Sequence, residues 1–175
     1  MSLFSRIRNA ADSRTDTDVH GGPPTWNTPV PFDANLVAHL LARHDELDAR
    51  IDALRSMLAS HPGLAESVVR ECADFLHELR HTEALRLYPV IARGLSPDPV
   101  ARRLFWQSRL VMLGLARRVM RRFEELARAV RTGRGSEAEL GHVVTGLAEY
   151  RRRNETTMYP LYTAVGEHRA RTRVA

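Results

Sequence analysis

Apolar residues recur along most of the chain at alternating spacings of three and four, which is typical of amphipathic α-helices. Proline and glycine divide this pattern into four long segments. The first begins at Asp33 and is stopped by Pro62 and Gly63, and the second spans about 64–93. The third begins at Asp98 and the fourth spans about 136–166. The pattern predicts four helices and contains no strand-like alternation.

The ends of these segments carry helix-capping signals. Asp33 and Asp98 are favourable N-cap residues, and a proline in the first turn strengthens the second of these. Ser136, with an acid three residues later, forms a capping-box pattern. Gly94 and Gly166 are placed to end the second and fourth helices. Long helices with short connections predict an all-α, antiparallel, up-down-up-down four-helix bundle.

The domain organisation follows from the same boundaries. Residues 1–32 lack a continuous helical pattern and are rich in glycine and proline near their end, so we expect a flexible N-terminal arm. The bundle is predicted over 33–168, followed by a C-terminal tail over 169–175. No apolar run is long enough to cross a membrane or to act as a signal peptide. With its single cysteine, the chain is expected to be cytoplasmic.

The charge of the chain is basic but modest for its length. The formal net charge is +5, every cationic residue is arginine, and acids and arginines are expected to alternate along every helix. A nucleic-acid-binding surface usually concentrates its basic residues in one patch or stripe. Binding to nucleic acid is therefore not expected.

Three of the predicted core-facing stripes contain polar residues. His44 lies in the stripe of the first helix, Glu83 in that of the second, and Tyr150 and Asn154 in that of the fourth. Burying an ionised carboxylate without a partner costs several kcal/mol. Glu83 is therefore predicted to be hydrogen-bonded, ion-paired, protonated or bound to a metal. The apolar members of the three stripes are Val37, Leu40, Leu47, Ile51, Leu54 and Leu58, then Cys72, Leu76, Leu79, Leu87 and Val90, then Leu140, Val144, Leu147, Met158, Leu161 and Val165.

Two segments resemble each other within the chain. Residues 78–89 read ELRHTEALRLYP and residues 149–160 read EYRRRNETTMYP, and both end in Tyr-Pro. Each lies in the second helix of a predicted helical hairpin. We interpret the fold as two related hairpins that place these segments opposite each other across the bundle.

The layout around the two Tyr-Pro pairs resembles the hemerythrin-like family of four-helix bundles over about 36–165. That family carries a histidine on its first helix, and a histidine followed four residues later by an acid on its second and fourth helices. His44 matches the first-helix histidine and Glu83 matches the second-helix acid. Leu79, Tyr150 and Asn154 stand at the other ligand positions, and the third predicted helix contains no histidine.

These departures leave two interpretations of the core residues open. In the first, His44, Glu83 and Tyr150 form a hydrogen-bonded remnant of a metal site, and the protein binds no cofactor. In the second, the same three residues are the ligands of a reduced site for iron or another metal, since phenolate can bind iron. Both interpretations place the three side chains in one core layer.

The third helix has a second apolar flank beside its main inward stripe. Phe105, Met112, Val119, Phe123 and Leu126 define the stripe, whereas Trp106, Leu110 and Leu113 lie to one side of it. Such a flank can receive the N-terminal arm, a second copy of the chain or a partner helix. The outer arginines of this helix are expected to be solvated and balanced by nearby acids, and they are Arg102, Arg103, Arg117, Arg121, Arg128 and Arg131.

The resemblance and the flank together favour a non-enzymatic regulatory or interaction module of bacterial type, with a degenerate metal site and a protein partner or a homodimer. A reduced-site metal sensor or store is the first alternative. The second is an anti-sigma-like transcription regulator, because the bacterial anti-sigma bundles that bind the primary sigma factor have a similar architecture. Catalysis is not expected, since no serine or cysteine nucleophile is visibly paired with a base.

Overall fold

A computed structural model describes residues 30–135 and 137–174 of the chain, with side chains up to residue 168. Six α-helices make up most of it: α1 (Leu36–Ser60), α2 (Ala65–Thr82), α3 (Tyr88–Gly94), α4 (Pro99–Arg131), α5 (Glu137–Arg153) and α6 (Tyr159–Val174). A short 3-10 turn (Pro62–Leu64) precedes α2. No strand occurs within these residues, which confirms the predicted all-helical class.

Two π-helical segments join consecutive α-helices into longer ones. Glu83–Leu87 connects α2 to α3, and Asn154–Met158 connects α5 to α6. In each segment the backbone N–H of the following tyrosine donates to a carbonyl five residues earlier. A proline comes directly after that tyrosine, and it lacks an N–H and would clash with the carbonyl four residues before it. The wider π turn accommodates this, so the paired Tyr-Pro sequences explain both segments.

The long helical segments pack side by side around one core. Contacts link α1 with α2, α2 with α4, α4 with α5, and α5 with α1, while α3 packs against α6. The third-helix stripe is buried as predicted, from Phe105 to Leu126. The other stripes are also buried, except at Val37, Leu58 and Val144, which are half-buried.

The predicted caps have mixed outcomes. Asp98 caps α4, since its Oδ1 accepts hydrogen bonds from the N–H groups of Val100 at 2.8 Å and Ala101 at 3.0 Å. Asp33 instead accepts from the N–H of Asn35 at 2.9 Å, and α1 begins only at Leu36. Its predicted role as the N-cap is therefore wrong. Ser136 lies outside the described residues.

The predicted end of the fourth helix at Gly166 is also wrong. The helix continues through this glycine to Val174, so residues 169–174 belong to α6 and not to a tail. A Cβ at Gly166 would lie 2.0 Å from the ring of Phe32. The glycine therefore serves close packing, because Phe32 lies against Tyr162 with ring centroids 5.0 Å apart.

The chain before α1 is held to the last helix. The N–H of Asp33 donates to the Tyr162 hydroxyl at 2.8 Å, and the same hydroxyl donates to the Asp33 carbonyl at 3.0 Å. Arg93 donates to the carbonyl of Val30 at 3.2 Å. Residues 30–32, assigned by the sequence to the arm, thus pack on the helices, and residues 1–29 of the arm lie outside the described residues.

A second glycine contact gives a test of the packing between α3 and α6. A Cβ at Gly94 would lie 2.1 Å from a methyl carbon of Val165 and 2.9 Å from its Cβ, too close for a β-branched side chain to avoid. We expect Gly94→Ala to cost about 1–3 kcal/mol in urea unfolding. Val165→Ala removes the two methyl carbons and leaves only the Cβ contact at 2.9 Å, so the double variant should be more stable than the sum of the single losses. Additive losses would contradict the close contact.

Candidate functional site

The polar core cluster consists of His44, Glu83, Tyr150, Asn154 and Tyr159. Glu83 and Asn154 begin the two π-helical segments, and they are 71 residues apart in the chain. Both are 0% exposed, and His44 is 3% exposed. The internal resemblance therefore corresponds to a physical pairing, because equivalent positions of the two segments meet in the core.

Glu83 is the centre of the cluster and both of its carboxyl oxygens have partners. The Tyr150 hydroxyl forms a short hydrogen bond with Oε2. Asn154 Nδ2 donates to Oε1 at 2.9 Å, and the Tyr159 hydroxyl donates to the same oxygen at 3.2 Å. All of these partners are neutral groups, so the carboxyl is satisfied without an ion pair.

His44 joins the cluster through Tyr159. Its Nε2 lies 3.0 Å from the Tyr159 hydroxyl and 4.0 Å from Glu83 Oε1. When Tyr159 donates its only hydroxyl proton to the ionised Glu83 carboxylate, Nε2 donates to the tyrosine oxygen, which corresponds to the Nε2-protonated tautomer of His44. The three residues predicted from the sequence thus lie together, with Tyr159 bridging His44 to the carboxyl.

Burial controls the ionisation of the cluster. It raises the pKa of Glu83 from 4.5 to about 7, and the hydrogen bonds from Tyr150 and Tyr159 only partly oppose this effect. It lowers the pKa of His44 from 6.5 to about 4, and the positive charge of Arg151 lowers it further. Burial and the Glu83 charge also raise the pKa of the Tyr150 and Tyr159 phenols. The favoured state is therefore a neutral imidazole beside a carboxyl that resists ionisation.

Tyr159 was missed because helical periodicity was extrapolated through a π-helical segment. At the α-helical angle of about 100° per residue, a side chain five positions after Asn154 points well away from it. The π turn is wider, so Met158 and Tyr159 are both buried. Glu155, one position beyond Asn154 and so rotated by about 100° from it, is exposed and pairs with Arg151 at 2.8 Å. The repeated Tyr-Pro pair was the signal that could have identified Tyr159.

The donor set does not fit the metal pair that the family resemblance implies. Leu79 is a buried apolar residue, and Tyr150 and Asn154 are hydrogen-bond donors to Glu83 instead of further ligands. The described residues contain no group of three histidine, cysteine or acidic side chains that could hold an ion. A metal would have to displace the hydrogen bonds on Glu83 and deprotonate groups whose pKa values burial has raised.

The flank of α4 forms a second candidate site, made of Trp106, Leu110 and Leu113. Leu110 is 66% exposed, while Trp106 and Leu113 are half-buried beside it. The Trp106 ring contacts Phe105, with centroids 5.3 Å apart. The flank is therefore partly open to solvent, and no described residue covers Leu110 as a core neighbour would.

The arginines of α4 differ from the sequence-based expectation. Five of the six outer arginines are exposed and Arg102 is half-buried. Within the described part of the chain, none of these six arginines forms a direct ion pair. On the same helix, Arg122 forms an ion pair with Glu125 at 2.9 Å.

Comparison of the chain with family models, with curated proteins and with solved structures gave no match. Within the described residues, no helix has the length and apolar character that crossing a membrane requires. The class that the fold and the site define is an all-helical protein with a buried polar cluster centred on a carboxyl and a partly exposed apolar flank.

Proposed function

We propose that this protein is a non-enzymatic interaction module, a divergent four-helix bundle of the hemerythrin-like type that acts by binding a protein at the flank of α4. Each of α1, α2, α4 and α5 contacts two of the others, so that the four helices form a ring, and this supports the up-down-up-down arrangement. The matching placement of His44, Glu83 and the two Tyr-Pro segments supports the family. In this proposal the polar core cluster holds the helices in register.

The exposure of the flank is the observation that carries the proposal. Leu110, 66% exposed, lies one helical turn from both Trp106 and Leu113, which are half-buried, and a group of neighbouring apolar side chains open to solvent marks an interaction site in a way that one exposed leucine does not. Tryptophan and arginine are also the side chains that dominate protein interfaces. The core cluster, by contrast, has satisfied its carboxyl internally and is sealed from solvent.

The test replaces Trp106 and Leu110 together by glutamine. We expect this variant to lose the dimer, or the partner retained from lysate, that the wild type shows in sedimentation and affinity capture. Its stability should fall by less than the ~2–5 kcal/mol typical of a large-to-small core truncation. Leu64→Gln is the matched control, because that leucine is 65% exposed elsewhere on the molecule. Equal binding by all three proteins would contradict the proposal.

A metal-binding sensor or store is the second candidate, favoured by the convergence of His44, Glu83 and Tyr150. The His44 Nε2 and Glu83 Oε1 atoms are 4.0 Å apart, a separation that one ion could bridge. Metal analysis of protein expressed with added iron separates the two candidates. One or two irons per chain, lost in His44→Ala together with activity in cells, would replace the interaction proposal.

A further inference from the structure

Charge is distributed unevenly along α4. From Pro99 to Phe123 the chain contains no acidic residue, although arginines recur throughout. These arginines are Arg102, Arg103, Arg109, Arg117, Arg118, Arg121 and Arg122. The expected alternation of acids and arginines along every helix is therefore wrong for this part of α4, which is strongly cationic.

The arginines of the other helices are mostly neutralised by ion pairs. Arg43 and Arg50 on α1 each contact Glu46, at 3.2 and 2.8 Å. On α5, Arg151 contacts both Asp45 and Asp48, at 2.8 and 2.7 Å. Arg103, Arg117 and Arg121 on α4 are exposed and form no ion pair with any described residue. Their positive charge is thus available to an external partner.

These arginines share a helix face with the apolar flank. Successive spacings of three or four residues connect Arg103, Trp106, Leu110, Leu113, Arg117 and Arg121. The order places apolar side chains in the middle and cations at both ends. At a rise of about 1.5 Å per residue, the face is about 27 Å long, which is the length of an 18-residue helix of roughly five turns.

We propose that this face binds an amphipathic α-helix of a partner protein, with apolar side chains at its centre and acidic side chains towards its ends. This inference rests on the proposed interaction function and names the chemistry of the partner. Apolar contact with Trp106, Leu110 and Leu113 supplies the anchor, and the arginines at both ends fix the register.

Charge disfavours the other occupants of the face. A second copy docked by the same face would bring arginines against arginines. The N-terminal residues around Leu3, Phe4 and Ile7 also carry Arg6 and Arg8, which gives the same repulsion.

A lipid surface needs a broad apolar face to insert, whereas Trp106 and Leu113 are already half-buried. Nucleic acid would use the arginines but leave Leu110 uncovered.

The probe is a synthetic peptide of about 18 residues, built from glutamate and alanine with leucines along the central part of one helix face. Fluorescence anisotropy of the labelled peptide measures its binding to the full chain. A control peptide carries lysine in place of each glutamate. We expect the acidic peptide to bind, to bind more weakly as salt is raised from about 20 to about 200 mM, and the lysine peptide not to bind.

Variants then locate the contact. Leu110→Gln should weaken binding by about 10-fold or more, and combined replacement of Arg103, Arg117 and Arg121 by glutamine should weaken it similarly and remove most of the salt dependence. Val111→Gln and Arg118→Gln change the same helix outside this face, and each should alter binding by less than about 2-fold.

Three outcomes would overturn the inference. One is no binding of the acidic peptide, and another is equal binding by the variants and the controls. The third is that the same variants weaken binding to anionic vesicles or duplex DNA more than they weaken binding to the peptide. If the peptide fails while Trp106→Gln with Leu110→Gln still abolishes self-association, the partner is a second copy and the proposed interaction function stands. Failure of both experiments would overturn that function as well.

Discussion

In a His44→Gln protein, the free energy of unfolding should fall by about 2 kcal/mol, relative to the wild type, between pH 4.5 and pH 6.5, with little further change by pH 7. Glu83 then titrates without an opposing group, and its pKa in the folded protein is raised from 4.5 to about 7. Above pH 4.5 the unfolded chain ionises while the folded carboxyl keeps its proton. Stability therefore falls until the pH passes the folded pKa.

The Glu83→Gln protein should show the opposite dependence. His44 is then the remaining core group, and its pKa in the folded protein is lowered from 6.5 to about 4. Below pH 6.5 the His44 imidazole binds a proton in the unfolded chain, whereas in the folded protein it stays neutral down to about pH 4. The free energy of unfolding should therefore fall by about 2 kcal/mol, relative to the wild type, between pH 6.5 and pH 4.5, and the two variants should have crossing profiles.

In the wild type the two effects cancel between pH 4.5 and pH 6.5, because the folded state gains one proton at Glu83 and loses one at His44 relative to the unfolded chain. Urea unfolding at several pH values gives each profile, and subtracting the wild-type curve removes the groups common to all proteins. His61→Gln, an exposed histidine, is the control and should follow the wild type. Parallel curves for the two core variants would contradict a neutral carboxyl beside a neutral imidazole.

The sequence was sufficient for most of the architecture because helical periodicity and capping are local signals. Asp98 capped the helix it was predicted to cap, and the stripe from Phe105 to Leu126 was buried throughout. Periodicity also placed His44, Glu83 and Tyr150 in one layer. It did so correctly because α1, α2 and α5 are regular up to the residues concerned.

The parts that were not predictable depend on tertiary packing or on irregular backbone. The π-helical segments changed the phase of both helices, so Tyr159 entered the cluster although an α-helical projection excluded it. Gly166 resembled a helix end in sequence, but its role depends on Phe32, a residue distant in the chain. The pairing of arginines likewise depends on which helix lies alongside, as Arg151 and Asp45 show.

The largest loss of stability is expected from Asn154→Asp. Asn154 Nδ2 donates to Glu83 Oε1 at 2.9 Å, in a position that is 0% exposed. Replacing the amide by a carboxyl of similar shape removes this donor and brings a second acid against the first. At about pH 8 the protein should lose more than ~3 kcal/mol, because at least one buried carboxylate faces another without a cation to compensate it.

The pH dependence of this loss distinguishes charge repulsion from a simple change of shape. Two adjoining buried carboxyls raise each other's pKa, so their protonated forms are favoured in the folded protein and stability should recover as the pH is lowered towards 5. Thr156→Asp is the control, because it adds the same charge to the same π-helical segment at an exposed position. It should cost less than about 0.5 kcal/mol and show no comparable recovery. A loss in Asn154→Asp that is equal at both pH values would show that the changed shape and the lost amide donor, and not repulsion between two carboxyls, cause the destabilisation.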